Sequence, residues 1–193
     1  MREEPTFEAL HGVDASAENA ILRAALADAQ RRIAELEERT ETDALTGLAD
    51  GRRYARALER VAGVSTRHGT TAAVVCVELQ GLDAIEAAHG PMGAEAAVVH
   101  VARTLGGLIR TTDLLARTGA AEFGLILDHL DHDSAIDTAE RFGRCIAAAP
   151  VDLGGSPARL QVVAAATSLL PGDTAPEVLT RAARNLALAR SEA

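Results

Sequence analysis

The chain has 193 residues and is 48% hydrophobic with no Trp, one Tyr and three Phe, which suits one domain plus an extension around an aliphatic core. Its net charge of −9, with Arg supplying all the basic charge and no Lys, lacks the footprint that generic nucleic-acid binding requires. No apolar run approaches the ~18 residues of a membrane span, the start Met1 to Pro5 lacks the order of a secretion signal, and Cys76 and Cys145 stand singly in apolar segments. A cytoplasmic chain with reduced core thiols is therefore expected.

Residues 1–13 show no periodicity and are expected to be disordered. Residues 14–42 then read as a long helix, with Asp14 or Ser16 as its cap. Leu22, Leu26, Ala29, Ile33 and Leu36 recur in steps of four and three, which is the seam of a coiled coil. So narrow an apolar stripe needs a partner, and a parallel homodimer through 14–42 is expected. Folding back onto the chain's own domain is the alternative use of that stripe. The globular part is expected over 43–193.

The pattern predicts a helix at 50–67 and a strand at 71–79, whose run Ala73 to Val77 is continuously apolar as in a central strand. Short helices follow at 82–89 and 93–109. Asp113 to Thr118, a tight turn, and Glu122 to Leu127 read as a hairpin. A helix is predicted at 133–148. Gly154 to Pro157 is a turn between two strands, the second running over 158–168, and Pro176 opens a last helix to Arg190. Helices and strands alternating around one sheet argue an α/β or α+β sandwich.

Asp43-Ala44-Leu45-Thr46-Gly47-Leu48 resembles the opening motif of the diguanylate cyclase (GGDEF) family, where it also follows a signalling helix. Gly90, Asp113, Arg117, Gly119, Glu122, Phe123, Leu186, Ala189 and Arg190 match in register as far as Arg190. The resemblance implies a five-stranded mixed sheet wrapped by helices, akin to adenylate cyclase catalytic domains. It also implies the joining of two GTP molecules into cyclic di-GMP with two Mg²⁺ ions.

In this resemblance the signature turn reads Gly119-Ala120-Ala121-Glu122-Phe123. Mg²⁺ takes hard oxygen ligands, usually one or two carboxylates. The family supplies one at the position of Glu78 and one at the third signature position, which here is Ala121 and has no ligand atom. Glu122 is the candidate substitute, but neighbours on a strand point to opposite faces. On that ground Glu122 is expected to face away. The Lys that attracts phosphate becomes Asp83, the Asn that reads guanine becomes Glu86, and the later Gly-Asp pair becomes Ala94-Glu95. Arg190 stands at the closing helix's Lys position, and the chain ends at Ala193 before the family's Gly-Arg-Asn. The expectation is a catalytically inactive domain with no bound metal or cofactor, keeping Glu78 and Glu122 as remnants.

Arg110-Thr111-Thr112-Asp113 matches the family's product-binding Arg-x-x-Asp. A planar guanidinium forms bidentate bonds to guanine N7 and O6, and needs no metal. Arg110, Asp113 and Arg117 are therefore the candidate residues for cyclic di-GMP, with Arg117 alternatively a purely structural match. An Arg in a helix's last turn also complements its dipole. Asp128-His129-Leu130-Asp131-His132-Asp133 is rich in potential ligands but sits where strand yields to helix, and reads as solvated residues and a cap. Two readings from different classes stay open: an inactive cyclic di-GMP receptor acting on a protein partner, or a nucleotide-independent interaction platform, for instance one docking an active cyclase. A residual cyclase or GTP binder is a third.

Overall fold

The computed structural model describes residues 19–23, 25–28, 30, 41–155 and 157–192. The chain divides into two units, Met1–Thr40 and Glu41–Ala193. Residues 19–23, 25–28 and 30 of the first are helical, with Ile21, Leu22 and Leu26 exposed by 69%, 60% and 60%. The disorder expected at 1–13, and Ala29, Ile33 and Leu36 of the predicted seam, lie outside the described residues.

The second unit runs α1 (Gly51–His68), β1 (Ala72–Leu79), α2 (Leu82–Gly106), β2 (Leu114–Arg117), β3 (Glu122–Asp128), α3 (His132–Ala148), β4 (Pro150–Asp152), β5 (Pro157–Arg159), β6 (Val162–Ser168) and α4 (Ala175–Glu192). Asp50 caps α1 by accepting from the Arg53 N–H at 2.9 Å, and Gly69 ends the helix in the left-handed region at φ 65°. Helix α2 breaks at Gly90 (φ 71°, ψ 178°) before Pro91, so it is in effect the two short helices predicted. Thr174 precedes α4, and its N–H and hydroxyl both donate to Glu177 Oε2, a variant of the capping box.

Strands β2-β3-β1-β6 form one sheet, all pairs antiparallel, and β4-β5 form a separate ribbon. The five-stranded mixed sheet implied by the resemblance is thus reduced to four strands. Its parallel element survives as a single bridge, Ala49 to Ala116 on the β2 edge. The single strand predicted over 158–168 is also broken. Residues 157–159 pair with β4, whereas 162–168 pair with β1. The chain changes sheet at Leu160 and Gln161, where Leu160 is buried and the Gln161 carbonyl accepts from the Gln80 N–H at 2.9 Å.

Strand alternation sorts the core into two layers. Ala73, Val75, Val77 and Leu79 of β1, with Phe123, Leu125 and Leu127 of β3, meet Val101 and Leu105 of α2 and Phe142 and Ile146 of α3. Val74 of β1 and Ile126 of β3 face the other way, onto Tyr54 and Leu58 of α1 and Val178 and Ala182 of α4. Among the described residues, no helix is long and apolar enough to cross a membrane.

Candidate functional site

The motif Asp43 to Leu48 is a closed loop built on one carboxylate. Asp43 Oδ1 accepts from the Thr46 N–H at 2.8 Å and the Thr46 hydroxyl at 2.6 Å, and Gly47 turns the chain at φ 70°. Arg117 closes the other side. Its Nη1 lies 3.1 Å from Asp43 Oδ2, while Nε and Nη2 donate to the carbonyls of Gly119 and Ala120 at 3.1 and 2.8 Å. Burial alone would raise the Asp43 pKa, but bonds from Thr46 and then the Arg117 charge outweigh it and hold it below the ordinary value. Arg117 thus lies at the far end of β2 from Arg110 and clamps the signature turn. The structure commits it to Asp43 and two carbonyls and does not bring it to Arg110.

The signature turn joins β2 to β3, with the Thr118 N–H donating to the Glu122 carbonyl at 2.9 Å. Phe123 is 1% exposed and anchors it in the larger core layer. Ala121 packs against that same layer, and its carbonyl accepts from the Leu79 N–H at 2.9 Å. Glu122 lies on the opposite face, and its register partner is Glu78. Directly paired residues of antiparallel strands project to the same side, with Cβ atoms roughly 4.5–5.5 Å apart. The expectation that Glu122 faces away from Glu78 is therefore overturned: alternation does separate Glu122 from Ala121, but it is Ala121 that points away.

Arg190 of α4 reaches this pair and donates from Nη2 to Glu78 Oε2. The Glu78 side chain is 17% exposed and that of Arg190 49%. As a donor set, Glu78 and Glu122 fit one hard divalent cation. Among the described residues, no group of three or more His, Cys, Asp or Glu comes together in a way that could hold a metal. Asp83, Glu86 and Glu95 are exposed on α2. In the Asp128 to Asp133 segment, Asp131 caps α3 by accepting from the Ser134 N–H at 2.8 Å, and His132 Nδ1 lies 3.1 Å from Ser168 Oγ.

Arg110 and Asp113 do come together, in the turn before β2. Asp113 Oδ2 accepts from the Arg110 N–H at 2.9 Å and Oδ1 from the Asp128 N–H at 3.4 Å, so this carboxylate braces backbone. The Arg110 side chain is exposed at a recess of about 70 Å³ that is also lined by Asp113 and by Arg141 of α3. The Arg141 guanidinium sits 5.8 Å from the centre of the Phe142 ring. Sequence reasoning missed Arg141, because nothing in the α3 pattern links it to a turn so far upstream.

The model of the family described as "Diguanylate cyclase, GGDEF domain" matches residues 40–193. An uncharacterised signalling protein of Caulobacter vibrioides is 33% identical over 134 residues, covering 65% of this chain, and the match spans only 16% of that protein's length. The GGDEF domain of FimX from Pseudomonas aeruginosa superposes with a TM-score of 0.76 at 18% identity, over 80% of this chain and 96% of that one. The coiled coil and GGDEF domain of DgcB from Caulobacter crescentus, a structure in complex with c-di-GMP, gives a TM-score of 0.74 at 21% identity, over 89% of this chain and 95% of that one.

Proposed function

The chain belongs to the diguanylate cyclase GGDEF-domain family, and on that premise we propose that it is a catalytically inactive member that binds cyclic di-GMP through Arg110 and passes the signal to a protein partner. The observation that carries this reading is the recess lined by Arg110, Arg141 and Asp113. Arg110 is suited to the N7 and O6 edge of a guanine, and Arg141 to a phosphate. A recess of about 70 Å³ takes the edge of one base, so the rest of the dinucleotide lies across the surface. Asp113 acts first by fixing the backbone that presents Arg110. That DgcB is described in complex with c-di-GMP agrees with this ligand class.

Inactivity is supported by three features. Position 121 carries a methyl group directed into the core layer. One oxygen of Glu78 is held by Arg190. Asp83, Glu86 and Glu95 add negative charge on α2 against an incoming triphosphate. A Mg²⁺ ion held by Glu78 and Glu122 would neutralise nucleotide phosphate charge; the second acid of the family pattern stays missing at Ala121.

The exposed Ile21, Leu22 and Leu26 favour self-association through residues 14–42 as the route of coupling. Calorimetry with cyclic di-GMP tests the reading. Wild type should bind, and Arg110→Ala should weaken binding by about ten-fold or more, as expected for one bidentate arginine contact. A correctly folded wild type that gives no heat leaves the platform reading in its place.

A further inference from the structure

Cys76 and Glu78 of β1 share one face of the sheet with Glu122 and Gly124 of β3, and α1 and α4 cover that face. Helix α4 is seated through Val178, Ala182 and Leu186, which recur in steps of four and are buried. Arg190 is the next step of four, so the side of the helix that packs on the sheet also carries the guanidinium to the acids. There Nη2 donates to Glu78 Oε2. Glu122 and Arg190 also line one cavity of about 370 Å³, together with Tyr54 and Gly124.

Two carboxylates directly opposite each other on neighbouring strands are unfavourable. The Glu78 side chain, at 17% exposure, is also partly withdrawn from the water that would screen it. A cation offsets both costs, and the chain supplies its own. Arg117, the other arginine at this turn, is committed to Asp43 and two carbonyls, which leaves the pair to Arg190. A guanidinium suits that post: it is permanently charged, less strongly hydrated than an ammonium, and bonds carboxylates in a fixed planar geometry. Its place in the last turn of α4 adds the favourable field of the helix dipole.

We infer that Arg190 is a resident counter-ion that closes the Glu78–Glu122 pair to divalent cations. A hard cation and the guanidinium claim the same Glu78 oxygen and repel each other, so each weakens the other's hold by the same factor. The inference rests on the reading of the domain as inactive, to which it adds a barrier that a single substitution removes.

The test is a titration of the whole chain with Mn²⁺ alone, without nucleotide, followed by paramagnetic broadening of the backbone amides. Wild type should show no saturable broadening centred on Glu78 and Glu122 up to about 1 mM, the weak end of the range for carboxylate sites. Arg190→Ala, at a half-exposed position that tolerates the change, should show it, with an affinity at least about ten-fold above that of wild type. Excess Mg²⁺ should displace the Mn²⁺ and raise the melting temperature of Arg190→Ala but not of wild type. Adding Glu122→Gln to Arg190→Ala should abolish the site. Arg190→Lys, which keeps the charge, should stay largely closed. Wild type binding Mn²⁺ at the pair as tightly as Arg190→Ala would overturn the inference. Absence of local broadening in Arg190→Ala would overturn it as well, because the acids would then hold no cation. An Arg190→Lys site as open as that of Arg190→Ala would overturn the role given to the charge. Failure of the inactive reading shows separately, as cyclic di-GMP made from GTP by wild type.

Discussion

Glu78 and Glu122 stand opposite each other on adjacent antiparallel strands, and Arg190 pairs with Glu78. Two acids side by side repel unless a cation lies between or beside them. Incubated with GTP and Mg²⁺ or Mn²⁺, the protein is expected to yield no cyclic di-GMP. Steady product formation that disappears in Glu122→Gln would show instead that Glu122 has taken over the missing ligand role of position 121.

Arg141 of α3 and Arg117 of β2 should separate by function. Arg141→Ala, whose side chain shares the Arg110 recess, should weaken cyclic di-GMP binding by about ten-fold with little change in melting temperature, as loss of a charged hydrogen bond to a phosphate implies. Arg117→Ala should behave conversely, lowering stability by about 1–3 kcal/mol through the loss of its bonds to Asp43 and the turn carbonyls. Paired calorimetry and denaturant unfolding distinguish the two, and a binding defect confined to Arg117→Ala would reverse their assignment.

The lowered Asp43 pKa has a definite pH consequence. A carboxyl held below its ordinary value stabilises the fold above about pH 4, and that contribution is lost as pH falls through the lowered native value. Asp43→Asn should therefore be less stable than wild type at neutral pH, with the gap narrowing in acid below about pH 4. Urea midpoints across that window would show it; a gap independent of pH would mean the charge is not what stabilises the loop.

Gly124 has no room for a side chain. A Cβ there would lie 2.7 and 2.9 Å from the Tyr54 ring and 3.1 Å from the Thr118 methyl. Gly124→Ala should cost about 1–3 kcal/mol by overpacking. Thermal unfolding unchanged from wild type would mean the Tyr54 ring swings freely into the adjoining cavity.

If the exposed apolar side chains of the first unit serve self-association, the number of chains per particle should fall from two to one when residues 1–42 are removed. Light scattering on both forms, with each mass divided by that of its own chain, decides this, and an unchanged number of chains per particle would dismiss the helical pairing.

Much of the fold can be read from local pattern alone. The apolar run at Ala73 to Val77, the Gly90-Pro91 break and the turn between Arg117 and Glu122 each act within a few residues, and each has its expected form. Two things resist such reading. Alternation shows that Ala121 and Glu122 point opposite ways but not which of them shares a face with Glu78, because that depends on the register of a partner strand. The change of sheet at Leu160 and Gln161 is hidden for a related reason: nothing in an apolar stretch says which neighbour will pair with it. At the candidate sites, an arginine's type announces its charge but not its partner. Arg117 is spent on Asp43, 74 residues upstream, while Arg141 converges on Arg110 only through the packing of α3.

The clamp made by Arg117 puts the first residues of the folded unit mechanically in series with the signature turn. One guanidinium grips Asp43 on one side and the carbonyls of Gly119 and Ala120 on the other. A pull on Asp43 must either snap these bonds or drag the turn with it. The loop that opens the domain and the signature turn therefore form a single lever.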